Sequence, residues 1–182
     1  MQNHDPAATW NAPEQLRAEA SLRRAISADA TSIRELTRAA YTKWVPVIGR
    51  EPLPMAADYD TRVRDHLIDL LHEQGRLVAL IETVPETDHL LIENVAVLPS
   101  FQGRGYGRSL LAHAERLAVS LGLSQTRLYT NRSLAGNVRL YQKLGYGVDR
   151  EEPFMGVSPG TSHQKSCRAE MLARRKAALD PA

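Results

Sequence analysis

The stretch that most constrains this chain is VAVLPSFQGRGYGRSLL, Val95 to Leu111. An apolar strand pattern runs into Pro99, a glycine-rich turn follows, and an amphipathic helix opens at once. The turn reads Gln102-Gly103-Arg104-Gly105-Tyr106-Gly107. A strand that turns this tightly into a helix aims several backbone N–H groups at one point, with the helix dipole behind them. That arrangement suits a phosphate-bearing ligand. Glycine-rich strand–helix turns also serve packing alone, so the turn by itself leaves both readings open.

Spacing separates the known phosphate-binding patterns. A P-loop needs Lys-Ser or Lys-Thr after its last glycine, and Arg108-Ser109 stand here. A dinucleotide fingerprint needs G-x-G-x-x-G and an acidic residue at the end of the next strand. Here the glycines fall as G-x-G-x-G, and the next strand-like run ends in Thr130-Asn131. A third arrangement, Q/R-x-x-G-x-G/A, fits at every position.

Composition narrows the class. A chain of 182 residues fits one domain with a real core, and 43% hydrophobic residues suit a soluble globular protein. A formal charge of +2 makes no case for a nucleic-acid partner. No apolar run reaches the roughly 20 residues that span a bilayer, so no membrane partner is expected. The start, MQNHDPAATWNAPEQ, lacks the basic-then-apolar order of a secretory signal. The single Cys167 excludes an intramolecular disulfide framework and suits a reducing cytoplasm, the expected location. The six histidines show no zinc-like spacing, and no metal is expected.

Periodicity lays out the elements. Residues 1–20 read as a flexible tail, residues 21–172 as the domain and residues 173–182 as a C-terminal tail. Leu22 to Ile26 reads as a strand, and Asp29 or Ser27 can cap a helix to about Tyr41 with Ile33, Leu36 and Ala40 on one face. Tyr41 to Tyr59 carries Pro46, Pro52 and Pro54, which forbid a continuous helix and leave a loop with room for helical turns. Leu67 to His72 is ambiguous between strand and helix end. Arg76–Val84 and His89–Val97 read as antiparallel strands. Leu110, Leu111, Ala114, Leu117, Ala118 and Leu121 form one apolar helical stripe that Gly122 stops. Ser124–Thr130 is a short strand, Ser133 can cap a helix that Gly145 stops, and Tyr146–Asp149 opens another strand.

A second motif lies downstream. Leu128 to Asn131 precedes SLAGNVRLYQKLGY, in which Asn137, Tyr141, Gly145 and Tyr146 follow N-x-x-x-x-Y-x-x-x-G-F/Y with one residue fewer between Asn137 and Tyr141. Asn137 and Tyr141, four apart, share a helix face. The two motifs, in this order, resemble the pyrophosphate arm and following helix of the GCN5-related N-acetyltransferases, the GNAT superfamily. The resemblance covers about residues 21–155. It implies an α+β, three-layer fold, with a mixed, mainly antiparallel sheet flanked by helices.

The resemblance also implies chemistry. The donor would be acetyl-CoA, a cosubstrate, its pyrophosphate held by the main chain of Gln102, Gly103, Arg104, Gly105, Tyr106, Gly107 and Arg108. Arg104 and Arg108 either add phosphate contacts or are solvated surface arginines. The pantetheine arm would pair with the strand edge at Val95, Ala96 and Val97, and a main-chain N–H near Val95 could stabilise the oxyanion. Tyr141 matches the family's general acid for the departing thiolate; periodicity alone reads it as a core tyrosine. Asn137 would bind the pantetheine arm, and Asn131 either serves that site or caps the helix. An ammonium acceptor with a pKa of about 10.4 must lose a proton before attack. Glu93 is the candidate base, against a structural or solvent-facing carboxylate. Asn94, facing oppositely, ranks lower as a substrate or water ligand.

The implied acceptor is a small-molecule amine or a protein amino group, approached from the Tyr41–Asp60 side, where Glu51, Asp58 and Asp60 point to a cationic amine. Family members often dimerise, so a homodimer is also implied. The C-terminus departs from the pattern. Gly156 to Lys165 is polar and turn-rich, and residues from about Cys167 to Leu179 favour a helix, so the last strand is expected to be short, degraded or missing. Two alternatives follow from that departure: an acyl-CoA-binding module without catalysis, and a protein-interaction domain that uses the C-terminal helix.

Overall fold

A computed structural model describes residues 20–131, 134–153 and 161–168, with side chains as far as residue 148. The expected helix cap Ser133, nearly all of the N-terminal tail and the tail at 173–182 lie outside the described residues. The chain forms two compact units, Met1–Val84 with Ile92–Ala114, and Pro85–Leu91 with Glu115–Ala182. The class is α+β, with mainly antiparallel strands and flanking helices.

The first unit holds β1 (Ala20–Arg24), α1 (Ala30–Tyr41), a single helical turn α2 (Val45–Ile48), α3 (Tyr59–Asp65), β2 (Leu67–Glu73), and most of β3 (Arg76–Pro85) and β4 (Leu90–Val97). The strand order is β1-β2-β3-β4. Leu67 to His72 is therefore strand: a neighbour on each side uses its backbone groups, with Leu22 opposite Leu71 and Leu70 opposite Leu80. The β2–β3 hairpin turns through Gln74 and Gly75, with φ of 49° and 79°. Two successive positive φ values match the twist of a two-residue hairpin.

The α1 stripe Ile33, Leu36 and Ala40 is buried as its period requires, against Ile68, Leu70, Leu80, Ala96 and Tyr59. Neither Asp29 nor Ser27 caps α1 with its side chain. The Asp29 carboxylate instead takes the Arg23 guanidinium at 2.7 Å twice and the Ile26 N–H at 2.8 Å. Charge-assisted bonds to a guanidinium outcompete a neutral cap. Helix α3 carries no strong sequence signal. Asp58 starts it by accepting from the Asp60 and Thr61 amides and the Thr61 hydroxyl.

One charged cluster is interior. Asp69 on β2 is fully buried and accepts from Arg24 Nε at 2.8 Å, with His113 Nε2 also 2.8 Å away. Removing the carboxylate strands both partners. Asp69→Ala is expected to destabilise the protein by about 3 kcal/mol, the low end for a broken buried pair, because Arg24 keeps some water contact. A urea unfolding series checks this, and a loss under about 1 kcal/mol would contradict it.

The second unit holds the end of α4 (Tyr106–Ser120), β5 (Gln125–Asn131), α5 (Ala135–Lys143), β6 (Gly147–Pro153) and β7 (Thr161–Arg168). Both helices end in the same device. The Leu123 N–H reaches Ala118 O and the Gly122 N–H reaches Val119 O; Tyr146 to Tyr141 and Gly145 to Gln142 repeat the pattern. Gly122 and Gly145 take the left-handed φ that this cap demands. Leu121 lies past the last turn of α4 and is exposed, which removes it from the apolar stripe.

The expectation of a short, degraded or missing last strand is corrected. β7 spans eight residues and pairs antiparallel with β5 on one side and β6 on the other, giving the order β5-β7-β6. Its polar composition does not forbid this, because ladder bonds are made by the backbone and a strand with two neighbours satisfies both of its edges. Cys167 and Arg168 belong to β7, so the expected helix from Cys167 loses its start. Its remainder lies outside the described residues.

Candidate functional site

The glycine turn lies in the first unit. Pro99–Phe101 forms one tight helical turn, and α4 begins at Tyr106. Gly103 and Gly105 have φ of 80° and 92°, a region that costs any other L-residue strain. The first α4 bond runs from the Ser109 N–H to Gly105 O at 3.0 Å. Tyr106, Gly107 and Arg108 thus carry amides that the helix itself does not use. Among the described residues, nothing lies within 4 Å of a Cβ built on Gly103 or Gly107.

The side chains of the turn hold it in place. Gln102 Nε2 donates to Val97 O at 2.9 Å, and Gln102 Oε1 accepts from the Lys43 ammonium. Arg104 stacks on Phe101, 4.7 Å from the ring centre, and donates to Glu73 at 3.4 Å. The buried Tyr106 phenol donates to the same Glu73 carboxylate. Burial first, and that carboxylate second, push the Tyr106 phenol up to about 12. Arg108 is exposed. Lys43 and Glu73 were not legible as parts of the turn, because each reaches it from another segment.

On β4 the side chains alternate. Ala96 and Asn94 are buried, while Glu93, Val95 and Val97 keep solvent contact. Glu93 lies 4.0 Å from Arg62 NH1. Arg62 donates to the fully buried Glu82 at 2.9 Å, and His66 Nδ1 is 2.5 Å from the same oxygen. The three carboxylates read as pointing to a cationic amine have partners within the chain. Glu51 pairs with Arg38 at 2.7 Å, Asp60 pairs with Arg34 at 2.8 Å, and Asp58 caps α3. All three remain exposed.

In the second unit Asn137 and Tyr141 lie on α5, both half-buried, and Asn131 closes β5. The Tyr141 ring centre is 6.0 Å from that of Tyr146, which is buried. Desolvation pushes the Tyr141 phenol up to about 12, so it stays protonated across the physiological range. Among the described residues no group of His, Cys, Asp and Glu could hold a metal ion, and no helix is long and apolar enough to cross a membrane.

The chain is similar to known proteins. The N-acetyltransferase YvbK of Bacillus subtilis, described as uncharacterized, is 32% identical over 76 residues, 42% of this chain and 48% of that protein. The ribosomal protein bS18-alanine N-acetyltransferase of Escherichia coli K12 is also 32% identical over 76 residues, 51% of its length. The chain thus spans about half the length of the curated relatives it matches. Among solved structures, the PaiA N-acetyltransferase of Thermoplasma acidophilum, in complex with coenzyme A, superposes with a TM-score of 0.68 at 17% identity, over 81% of this chain and 99% of that one. The Escherichia coli ribosomal-protein-S18-alanine N-acetyltransferase superposes with a TM-score of 0.64 at 17% identity, over 82% and 94%. The profile described as Acetyltransferase (GNAT) family matches residues 30–146, well over half of the chain, and the chain belongs to that family.

Proposed function

We propose that this protein is an N-acetyltransferase that moves an acetyl group from acetyl-CoA to a primary amine, by direct transfer in a ternary complex. The observation that carries the reading is the turn at Gly103 and Gly105. Two left-handed glycines run into the unused amides of Tyr106, Gly107 and Arg108. This seat fits a pyrophosphate, because it offers main-chain donors at a helix N-terminus. Coenzyme A sits in the Thermoplasma acidophilum neighbour.

Roles follow residue by residue. The Val95–Val97 main chain pairs with the pantetheine arm, assisted by Asn131 and Asn137, and Arg104 and Arg108 add positive charge beside the phosphates. Glu93, directly or through water, takes the proton from the acceptor ammonium. The neutral nitrogen then bonds to the acetyl carbon as the C–S bond breaks, its surplus proton passes to water, and Tyr141 hydrogen-bonds the departing sulfur, which takes its proton from solvent. A main-chain N–H near Val95 stabilises charge on the carbonyl oxygen. The Escherichia coli relative acts on an alanine amino group of a ribosomal protein, which supports a protein amino group as acceptor beside small amines.

The test is calorimetry with acetyl-CoA, followed by thiol release with an alanine-ended peptide, spermidine and lysine as acceptors. Binding with amine-dependent release of free thiol is expected. Absence of binding at submillimolar acetyl-CoA would end the reading. Binding without turnover on any of these amines would instead favour a module that holds acyl-CoA without catalysis.

A further inference from the structure

Asn94 sits on β4 between Glu93 and Val95 with 2% of its surface exposed. A buried amide is costly unless its donors and its acceptor are met. Here Oδ1 accepts from the Tyr41 phenol at 2.9 Å, and Nδ2 donates to the Tyr59 oxygen at 3.2 Å and to Thr37 Oγ1 at 3.4 Å. The Tyr59 phenol itself donates to Pro54 O at 2.9 Å, so toward Asn94 it accepts, and this sets which way the amide points. Tyr41 also reaches Val95 O at 3.5 Å.

The two phenols are not arbitrary partners. Tyr41 and Tyr59 are the first and last residues of the proline-rich segment on the acceptor side, and Pro54 lies within it. Both ends of that segment therefore close on one amide. Its chain neighbours are the candidate base and the candidate oxyanion donor. A buried network with its valences filled holds one geometry, because each lost bond leaves a polar group dry.

We propose that Asn94 is a positioning residue for the acceptor, setting where the Tyr41–Tyr59 segment stands against β4 and so how the amine meets Glu93. The proposal rests on the acetyltransferase reading above. Asn94 acts through Tyr41 and Tyr59 and touches no reacting atom. Aspartate would copy its shape but has no donor for the Tyr59 oxygen, so the role depends on the amide rather than on bulk.

The test uses the full chain and whichever amine of the panel is turned over fastest. Tyr41→Phe keeps the ring and deletes one bond to Asn94. It should raise the acceptor KM about five- to tenfold, the scale of one buried hydrogen bond, with kcat at saturating acceptor and the acetyl-CoA affinity unchanged. Asn94→Asp should raise the acceptor KM further, again with acetyl-CoA still bound. An unchanged acceptor KM in Tyr41→Phe would overturn the proposal. So would a rise matched by an equal loss of acetyl-CoA affinity, the mark of a purely structural role. Failure of the acetyltransferase reading looks different: the unaltered protein would then turn over no amine at all.

Discussion

Tyr141→Phe is expected to cut kcat on the order of 100-fold, the lower range for a positioned proton donor, while acetyl-CoA binds as before. Desolvation pushes the phenol up to about 12, so it carries its proton across the physiological pH range. A thiol has an ordinary pKa of about 8.5, so complete transfer to a free thiolate is uphill for such a phenol. On the proposed acetyltransferase reading, Tyr141 would act while the C–S bond is breaking, by hydrogen-bonding charge that builds on sulfur, and the benefit would belong to the transition state. Kinetically, kcat and kcat/KM should fall together. Single-turnover thiol release with calorimetry checks both halves. Unchanged turnover would remove Tyr141 from the donor role and return it to the aromatic pair it forms with Tyr146.

The second large effect concerns Gly105. Its φ of 92° suits glycine alone, and valine there would force the turn to rearrange. The amides of Tyr106, Gly107 and Arg108 would then leave the phosphate seat. Hydrogen bonds to a charged group contribute about 1.5–3 kcal/mol each. Gly105→Val is accordingly expected to weaken acetyl-CoA binding on the order of 100-fold. S-acetylpantetheine, which lacks the pyrophosphate, provides the control. Its kcat/KM should be nearly unaffected in the same variant, and an equal fall for both donors would mean that the turn supports the fold and not the phosphates.

These two predictions differ in how far the residues announced themselves. The Gly103–Gly105 turn and the α1 and α4 stripes are local. Backbone freedom at glycine and a 3.6-residue period are set by neighbours in the chain, so they can be read from it. β7 could not be read this way. Thr161 to Arg168 lacks apolar alternation, and its strand state follows from β5 and β6 supplying backbone partners on both sides. Helix α3 was missed for a related reason, since its Asp58 cap follows a proline-rich run that masks the start of a periodic segment.

Side-chain partners divide along the same line. The second motif singled out Asn137 and Tyr141 by spacing, and the resemblance pointed to Glu93 on the strand before the glycine turn. Spacing carried no sign that Arg62 stands between Glu82 and Glu93, that Glu73 holds both Arg104 and Tyr106, or that Asp69 joins Arg24 to His113. Each of these links residues that lie far apart in sequence, and pairing across strands and helices decides them. Glu51, Asp58 and Asp60 show the converse. As letters they read as charge offered to a ligand, and in the fold each also has a partner, Arg38, the α3 amides and Arg34, while remaining exposed.

What the chain determined by itself was the family, because the turn that marks it is made of backbone that only glycines at fixed spacing allow. The tertiary structure alone decided the last strand and the surroundings of Asn94. Both depend on groups brought together from distant segments, where burial makes each unmet hydrogen bond costly and so selects one arrangement.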